Sequence, residues 1–246
     1  MNVLVLAALL LLGSVSPSDV DEPSLSETSL DQGPHNVSRK PRLQPKESKP
    51  PVGNYTIANQ GRVCLRASLG VVYIVTEDKN TSYYNLDPKS TTAGGYCAST
   101  DAVLSLEFDG GSLQFTFVKN GTVAYVKTLR AFLEPEPPCK NCNRTRYPGI
   151  LNHDELFKTA NGQSFKCKSS TKLILAENLR IKLVPLQVQA FNLPNGTFGK
   201  EVECWADYAK RIMPIVVGAV VVGIFLIAVL VFVLMREHRA QGYEPL

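Results

Sequence analysis

An uninterrupted apolar run over residues 212–235 limits what this chain can fold into more than any other feature. The run carries no charge and a single proline, Pro214, and it is bracketed by Lys210-Arg211 and by Arg236. As an α-helix it would be about 36 Å long, more than the roughly 30 Å hydrocarbon core of a bilayer. A buried core helix rarely runs this long without a charge. We therefore predict one transmembrane helix over residues 212–235, embedded in the lipid bilayer.

The N-terminus predicts how this helix is oriented. Residues 3–12 form an apolar stretch that is too short to span a bilayer, and the small residues Gly13 and Ser14 follow it, as in a signal peptide. Positive charge flanks both ends of the run at 212–235, so charge bias alone does not orient it. We predict a signal peptide over residues 1–16, which makes the protein single-pass type I with residues 236–246 as a cytosolic tail.

Composition separates a polar stalk from a folded domain. Residues 17–53 are rich in Ser, Pro, Asp, Glu and Lys, so we predict a disordered stalk there. The net charge of +4 is scattered, with no basic and aromatic stripe, which argues against nucleic-acid binding. Asn-x-Ser/Thr sequons on the predicted luminal side are candidate N-glycosylation sites, and they begin at Asn36, Asn54, Asn80, Asn120, Asn143 and Asn195.

Residues 54–208 show the period-two alternation of half-buried β-strands. Leu104, Leu106 and Phe108 alternate with polar residues, and the pattern resumes after Asp109-Gly110-Gly111. Further strand-like segments flank Asn120-Gly121 and Asn161-Gly162. Asp-Gly and Asn-Gly favour the positive φ angles of tight hairpin turns. We predict one all-β luminal domain with hairpins at these three turns.

All six cysteines lie in this predicted domain, in a compartment where disulfides persist. Many pairings are possible, and sequential order and loop size favour Cys64–Cys97 and Cys167–Cys204, with Cys139–Cys142 as a small local loop. A redox or zinc role for Cys139 and Cys142 is disfavoured. No thioredoxin-like unit accompanies the pair, and no second CxxC completes a tetrahedral zinc site.

The sequence offers little for catalysis. A nucleophilic triad needs a histidine, and the domain has only His153, in an Asn-His-Asp segment typical of a solvated loop. No phosphate loop, metal signature or cofactor motif is present, and no motif supports a catalytic carboxylate pair. We predict a protein that is not an enzyme, with no metal and no cofactor. The scarcity of histidine also predicts little change in charge between about pH 7 and pH 5.

Five segments in the second half of the predicted domain follow one another in a recognisable order, and these are Ser164-Phe165-Lys166-Cys167, Leu173-Ile174-Leu175, Gln189-Ala190-Phe191, Gly196-Thr197-Phe198-Gly199 and Cys204. Their order resembles that of the lysosome-associated membrane glycoprotein family. The resemblance covers residues 54–246, and with one such domain the chain is similar to the single-domain members. It implies a β-prism-like luminal domain stapled by Cys64–Cys97 and Cys167–Cys204. It also implies residence in late endosomal and lysosomal membranes, and we expect passage through endosomes or the plasma membrane.

The end of the chain predicts how the protein is sorted. Gly242, Tyr243 and Leu246 form a Gly-Tyr-x-x-Leu motif a few residues beyond the predicted span, as in the tails of that family. Clathrin adaptor complexes would bind such a motif as an extended segment, with separate pockets for the tyrosine and the leucine. Fully extended, residues 236–242 would place Tyr243 up to about 24 Å from the membrane.

The leading hypothesis is a non-catalytic, glycan-shielded lysosomal membrane glycoprotein that adaptors sort through this tail. The alternative is a trafficking chaperone that binds another membrane protein, such as a transporter, and sorts it along the endocytic or synaptic vesicle route. A third hypothesis, a surface receptor phosphorylated at Tyr243, is disfavoured. The motif occurs once, and no acidic residue lies just upstream of it.

Overall fold

The structure, a computed structural model, describes residues 40–77, 80–136 and 144–240. The predicted signal peptide, Asn36, Asn143, Cys139–Cys142 and the sorting residues Gly242, Tyr243 and Leu246 lie outside the described residues. Within the described ranges the elements are β1 (Val52–Asn59), β2 (Arg62–Glu77), β3 (Asn80–Asn85), β4 (Thr92–Cys97), β5 (Asp101–Phe108), β6 (Gly111–Asn120), β7 (Val123–Leu133), β8 (Tyr147–Ala160), β9 (Gln163–Cys167), β10 (Thr171–Ile174), β11 (Leu179–Ala190), β12 (Lys200–Glu203) and α1 (Trp205–Ala240).

Strands β4 to β8 form an antiparallel five-stranded sheet in chain order. The predicted alternation is present, since Leu104 and Leu106 are fully buried and the neighbouring Glu107 is exposed. Gly110, at φ 75°, turns β5 into β6, and Gly121, at φ 57°, turns β6 into β7. Both glycines adopt the left-handed backbone conformation that their turns require. The first two predicted hairpins are therefore confirmed.

The third predicted hairpin, at Asn161-Gly162, is wrong. The chain does turn there, with Gly162 at φ 79°, but β8 pairs with β7, whereas β9 pairs with β11 and β12 in the other sheet. The register between β8 and β7 shifts twice, and Phe157 near the end of β8 has a φ of 57°. Bulges of this kind bend a strand out of its sheet. The turn residues therefore specify a reversal of the chain without specifying its pairing partner.

A seven-stranded sheet forms the second layer, in the order β1-β2-β11-β9-β12, with β3 also paired to β2 and β10 to β11. The long strands β2 and β11 run antiparallel and divide this sheet into two halves. In one half residues 65–69 pair with 186–190, and in the other residues 71–75 pair with 179–183. β1 flanks the first half of β2 and β3 flanks the second. With the five-stranded sheet, these two halves enclose the core.

Gly70 lies where the two halves of β2 meet. A Cβ atom at this position would lie 2.4 Å from the Val184 carbonyl oxygen and 3.0 Å from Pro50 Cγ. The register between β2 and β11 shifts at the same level, between Leu183 and Leu186. The absence of a side chain therefore allows the backbones of β2 and β11 to approach closely.

One hydrophobic core includes side chains from both sheets, among them the fully buried Tyr73 and Leu104. The Tyr73 hydroxyl donates a hydrogen bond to the Ser112 carbonyl oxygen at 2.9 Å, which connects β2 to β6. The disulfide Cys64–Cys97 connects β2 to β4. The predicted class is confirmed: the fold is all-β, disulfide-stapled and β-prism-like.

The ordered domain begins earlier than predicted, so the prediction of a disordered stalk is wrong for residues 40–53. β1 already starts at Val52, and Gln44 exchanges two backbone hydrogen bonds with Tyr83 on β3, at 2.7 and 2.8 Å. The Asn85 side chain donates to Ser48 Oγ at 2.8 Å. The composition of this segment predicts disorder, but its backbone pairs with the free edge of β3 through the hydrogen bonds between Gln44 and Tyr83. Edge pairing uses main-chain groups and does not require apolar side chains.

The helix is longer than predicted at both ends. α1 begins at Trp205, so residues 205–208, which were assigned to the β domain, are helical. It also continues to Ala240, so an extended conformation for the start of the tail is wrong over residues 236–240. The segment Trp205–Glu237 is long and apolar enough to cross a membrane, with a mean hydropathy of 3.3 in its most apolar window.

Candidate functional site

The β domain and the helix meet at a junction built on β9 and β12. β12 runs parallel to β9, with Glu203 opposite Lys166. This register brings the next residue, Cys204, beside Cys167, and the two form a disulfide. The Cys204 amide also donates to the Lys166 carbonyl at 2.9 Å. The sheet is therefore linked covalently to the residue that immediately precedes the helix.

Asp207 attaches the first turn of α1 to the loop between β9 and β10. Its carboxylate accepts hydrogen bonds from the backbone amides of Lys168 and Ser169, the latter at 2.9 Å. The amides of Asp207 and Tyr208 donate to the Cys204 carbonyl at 3.2 and 3.1 Å. The helix therefore starts directly after the disulfide, without a linker. A carboxylate in the first turn also interacts favourably with the positive end of the helix dipole.

Two basic residues extend these contacts by another turn. Lys210 Nζ donates to Ser169 Oγ at 2.9 Å. The Arg211 guanidinium contacts both carboxylate oxygens of Glu203, at 3.0 and 2.9 Å, in the bidentate geometry that gives strong pairs. We refer to residues 166–169 and 201–211 together as the junction.

The junction surrounds a charged cleft of about 520 Å³. Each acidic group that lines it is engaged in a structural contact. Asp207 holds the β9–β10 loop and Glu203 binds Arg211, while Glu201 accepts from Lys166 and from Gln187, the latter at 3.3 Å. The hydrogen bond from Lys166 is the largest influence on the Glu201 carboxyl and lowers its pKa. Asp207 and Glu203 therefore fix the helix to the β domain, while Glu201 joins β12 to β9 and β11.

Beside the cleft, three atoms lie close enough together to suggest a metal site, namely the sulfurs of the buried Cys167 and Cys204 and a carboxylate oxygen of Asp207. The two sulfurs are joined in a disulfide, so neither is a thiolate, which is the form that binds metals. The Asp207 carboxylate is occupied by two backbone amides. These residues do not fit a metal ion.

His153, the histidine of the predicted domain, lies on strand β8 and not in a loop. Its side chain is exposed, as expected for a solvated residue. The Nδ1 atom accepts a hydrogen bond from the Glu155 amide at 3.0 Å. The Nδ1 atom is therefore occupied by a backbone amide of the same strand, which does not favour a role for His153 as a general base.

Two of the segments that resemble the lysosome-associated membrane glycoprotein family meet at the end of β11. They are Gln189-Ala190-Phe191 and the segment that ends at Gly199. Gln189 is buried, and its Oε1 accepts from the Gly199 amide at 2.7 Å while its Nε2 donates to the Asn192 carbonyl at 3.4 Å. The buried Ser164 hydroxyl donates to the Gly199 carbonyl at 3.2 Å. A Cβ on Gly199 would lie 1.9 Å from the Gly162 carbonyl oxygen. These residues therefore fix how the chain enters β12.

Four of the six sequons begin within the described residues. They belong to different parts of the domain: one is on β1, one starts β3, one ends β6, and one is in the turn that precedes β12. The side chains of all four asparagines are exposed, and these are Asn54, Asn80, Asn120 and Asn195. Exposure is necessary for glycan attachment, and glycosylation itself stays a prediction.

The sequence pattern does not predict the junction. In the sequence Lys210-Arg211 only marks the boundary of the membrane segment, whereas in the structure both side chains contact the β domain. A usable signal was present in Asp207, because an acidic residue in the first turn marks a helix start ahead of an apolar run. Nothing in the sequence pattern identifies Ser169 or Glu203 as partners of the helix.

Comparisons of the sequence and of the structure with known proteins give the same family. The family model for lysosome-associated membrane glycoprotein 2-like luminal domains matches residues 40–205. Human lysosome-associated membrane glycoprotein 3 is 33% identical over 221 residues, which cover 88% of this chain and 51% of that protein. The mouse protein of the same name is 32% identical over 237 residues, or 95% and 54% of the two chains. The chain spans about half the length of these curated relatives.

Solved structures agree with this match. The crystal structure of human lysosome-associated membrane protein LAMP-3 is similar with a TM-score of 0.59 and 34% identity, covering 63% of this chain and 99% of that one. The membrane-proximal domain of mouse LAMP-1 has a TM-score of 0.58 at 21% identity, with 64% and 99% covered, and supports the fold alone. The family model covers most of the chain, so this protein belongs to the lysosome-associated membrane glycoprotein family, with a luminal domain followed by one candidate transmembrane helix.

Proposed function

We propose that the chain is a non-catalytic, type I glycoprotein of lysosomal and late endosomal membranes, sorted by clathrin adaptor complexes that bind its tail. The observation that carries the proposal is the continuity of α1. This helix connects a domain of a luminal family directly to a C-terminal segment that contains Gly242, Tyr243 and Leu246. The names of the relatives supply the compartment.

Three features support the type I orientation. The N-terminal part matches a luminal family model and contains the disulfides Cys64–Cys97 and Cys167–Cys204, which persist in oxidising compartments. Its four described sequon asparagines are exposed. If the apolar segment that follows spans the bilayer, residues 241–246 would lie on the opposite side from this domain.

The helical start of the tail changes the geometry expected for adaptor binding. Residues 236–240 rise by about 1.5 Å each, so with two extended residues Tyr243 would lie up to about 14 Å from the membrane. A fully extended tail would instead allow a distance of about 24 Å between Tyr243 and the membrane. An adaptor would therefore have to engage the motif close to the lipid surface.

Binding of this motif uses two anchors on one extended strand. The Tyr243 ring would fill a pocket that is apolar with a polar end for the hydroxyl, and Leu246 would fill an apolar pocket. Burying each side chain contributes roughly 1.5–3 kcal/mol. The spacing of three residues sets both side chains along the adaptor edge, so the loss of either anchor would weaken binding strongly.

The luminal domain supports a shielding role better than a catalytic one. The acidic groups of its charged cleft are engaged in structural contacts with the helix and within the sheet, and His153 is exposed and bonded within its own strand. N-linked glycans at the exposed sequons would cover several parts of its surface. Changing each of Asn54, Asn80, Asn120 and Asn195 singly to Gln should increase gel mobility by one glycan, and an unchanged mobility for all four would contradict the luminal assignment.

Localisation tests the sorting proposal. The full chain and its Tyr243→Ala, Leu246→Ala and Gln241→Ala variants would be expressed at equal levels, labelled at the cell surface, and imaged with a lysosome marker. We expect the first two variants to shift from lysosomes to the plasma membrane. Gln241→Ala, a matched control outside the two anchors, should behave as wild type. Lysosomal delivery of Tyr243→Ala at the wild-type rate would refute the proposal.

A further inference from the structure

We propose that the junction is a membrane-contact surface. In this proposal the β9–β10 loop and the first two turns of α1 lie in the phospholipid headgroup layer of the leaflet that faces the β domain. The ligand is the phosphate-bearing headgroup of the protein's own bilayer. The proposal takes α1 as spanning that bilayer and does not depend on the sorting signal in the tail.

Height along the helix is the first argument. The uncharged segment begins at Ile212, so Lys210 precedes it by two residues and Asp207 by five. At about 1.5 Å per residue these side chains start roughly 3 and 8 Å above the apolar boundary. The headgroup layer is about 5–8 Å thick on each side of the hydrocarbon core. Lys210 therefore lies within this layer and Asp207 lies at its outer edge.

The β9–β10 loop is held at the same height by direct contacts. Ser169 Oγ accepts from Lys210 Nζ at 2.9 Å, and the Ser169 amide donates to the Asp207 carboxylate at 2.9 Å. The Lys168 amide donates to the same carboxylate. Because these bonds join the loop to helix positions within a few ångströms of the apolar boundary, the loop cannot stand far above the headgroups.

The exposed side chains of the junction suit this environment. Trp205 is 78% exposed and Tyr208 is 43% exposed, and their ring centres lie 5.7 Å apart. Tryptophan and tyrosine are enriched at membrane–water interfaces, where a largely apolar ring with one polar group is favoured. Tyr208 starts about 6 Å above the apolar boundary and lies within this layer, and Trp205, three residues earlier, packs its ring against Tyr208 at the outer side of the layer.

The charges of the junction fit lipid phosphates. Lys166 and Arg211 are neutralised by Glu201 and Glu203. Lys168 is exposed, and within the described parts of the chain neither Lys168 nor Lys210 forms an ion pair with a carboxylate. Ammonium groups near a membrane surface are attracted to its phosphates. These two lysines, which no carboxylate holds at ion-pair distance within the described residues, flank the loop placed at headgroup height.

Rigid attachment follows from the same contacts. The disulfide Cys167–Cys204, Asp207, Lys210 and Arg211 connect the helix to β9, β12 and the loop between β9 and β10, and no linker separates domain from helix. The β domain would thus rest on its bilayer in a fixed orientation and would not move freely on a tether.

The single tryptophan of the chain makes the contact measurable, because fluorescence comes from one known position. The full chain would be placed in phosphatidylcholine nanodiscs with a nitroxide quencher either on the headgroup or deep in the acyl chain. In a Trp205→Phe background, Lys168→Trp moves the reporter to the loop. Lys200→Trp is the matched control, since it is exposed and lies four residues before Cys204 on β12, up to about 13 Å farther from the start of the helix.

We expect the headgroup quencher to reduce the Lys168→Trp signal about twofold and to leave the Lys200→Trp signal nearly unchanged. The deep quencher should affect neither variant. Equal quenching of Lys168→Trp and Lys200→Trp would overturn the proposal, even if Trp205 of the unaltered chain is quenched. If Lys168→Trp does not fold, as judged by thermal unfolding, the exposed neighbour Ser170→Trp replaces it with the same expected and contradicting results.

Discussion

Removal of the Cys64–Cys97 disulfide should lower the free energy of unfolding of the β domain by about 4 kcal/mol. The bond has a sequence separation of 33 residues and joins β2 of the seven-stranded sheet to β4 of the five-stranded sheet. For a loop of this length the chain-entropy expression gives about 3.8 kcal/mol at 25 °C. Domains are stable by only about 5–15 kcal/mol, so this loss is roughly a quarter of the total or more.

The assay is thermal unfolding of the full chain in detergent, followed by the far-ultraviolet circular dichroism of the β-sheets. About 2–4 °C of Tm is expected per kcal/mol for a domain of this size, so Cys64→Ala with Cys97→Ala should lower Tm by about 8–15 °C. Reductant should lower the wild-type Tm further, because it also opens Cys167–Cys204. A decrease of less than about 3 °C in the double variant would refute the reasoning, since it would mean that the unfolded chain gains little freedom when the loop opens.

Two other predictions test the packing of the sheets and the response to pH. Gly70→Ala should reduce stability by about 1–3 kcal/mol in denaturant unfolding, because its Cβ would contact the Val184 carbonyl oxygen. Gly94→Ala, where a Cβ meets nothing within 4 Å, should change stability far less, and equal effects would contradict the role of Gly70. Burial raises the pKa of Tyr84 and of Tyr147 to about 12, so the stability from their neutral phenols is fully present below about pH 10 and is lost as the pH rises through 12. Tm should therefore fall at strongly alkaline pH. Between about pH 7 and pH 5 Tm should stay nearly constant, because the domain has only one histidine, His153, that could change charge there. A decrease of more than about 10 °C between pH 7 and 5 would contradict this account.

Much of the β domain could be predicted because its signals are local. The alternation around Leu104 and Leu106 sets which side chains are buried. Gly110 and Gly121 each supply a tight turn between two strands that follow one another in the sequence and pair with each other. The pairings Cys64–Cys97 and Cys167–Cys204 follow chain order, which is how the structure has them. The strand and turn signals lie close together in the sequence, whereas the cysteines of the two disulfides are 33 and 37 residues apart and are paired by their order along the chain.

The features that sequence did not predict depend on distant partners. Asn161-Gly162 has the residues of a hairpin turn, but bulges in β8 send the chain into the other sheet. Residues 40–51 have a disordered composition, yet Gln44 pairs with the edge of β3 far along the chain. The helix start at Trp205 depends on contacts of Asp207 with a loop almost 40 residues earlier, at Lys168 and Ser169. The periodic pattern of apolar residues in the sequence does not predict contacts of this kind.

The central proposal, that adaptors sort this protein through Tyr243, is tested most directly by binding. The full chain in nanodiscs would be titrated with the purified tyrosine-motif-binding subunit of a clathrin adaptor. Loss of the ring in Tyr243→Ala removes roughly 1.5–3 kcal/mol, which is an increase in Kd of about 10- to 150-fold. Tyr243→Phe keeps the ring and loses one hydrogen bond, so its Kd should rise by only about 2- to 12-fold. A Tyr243→Ala chain that binds within about twofold of the wild type would contradict the proposal.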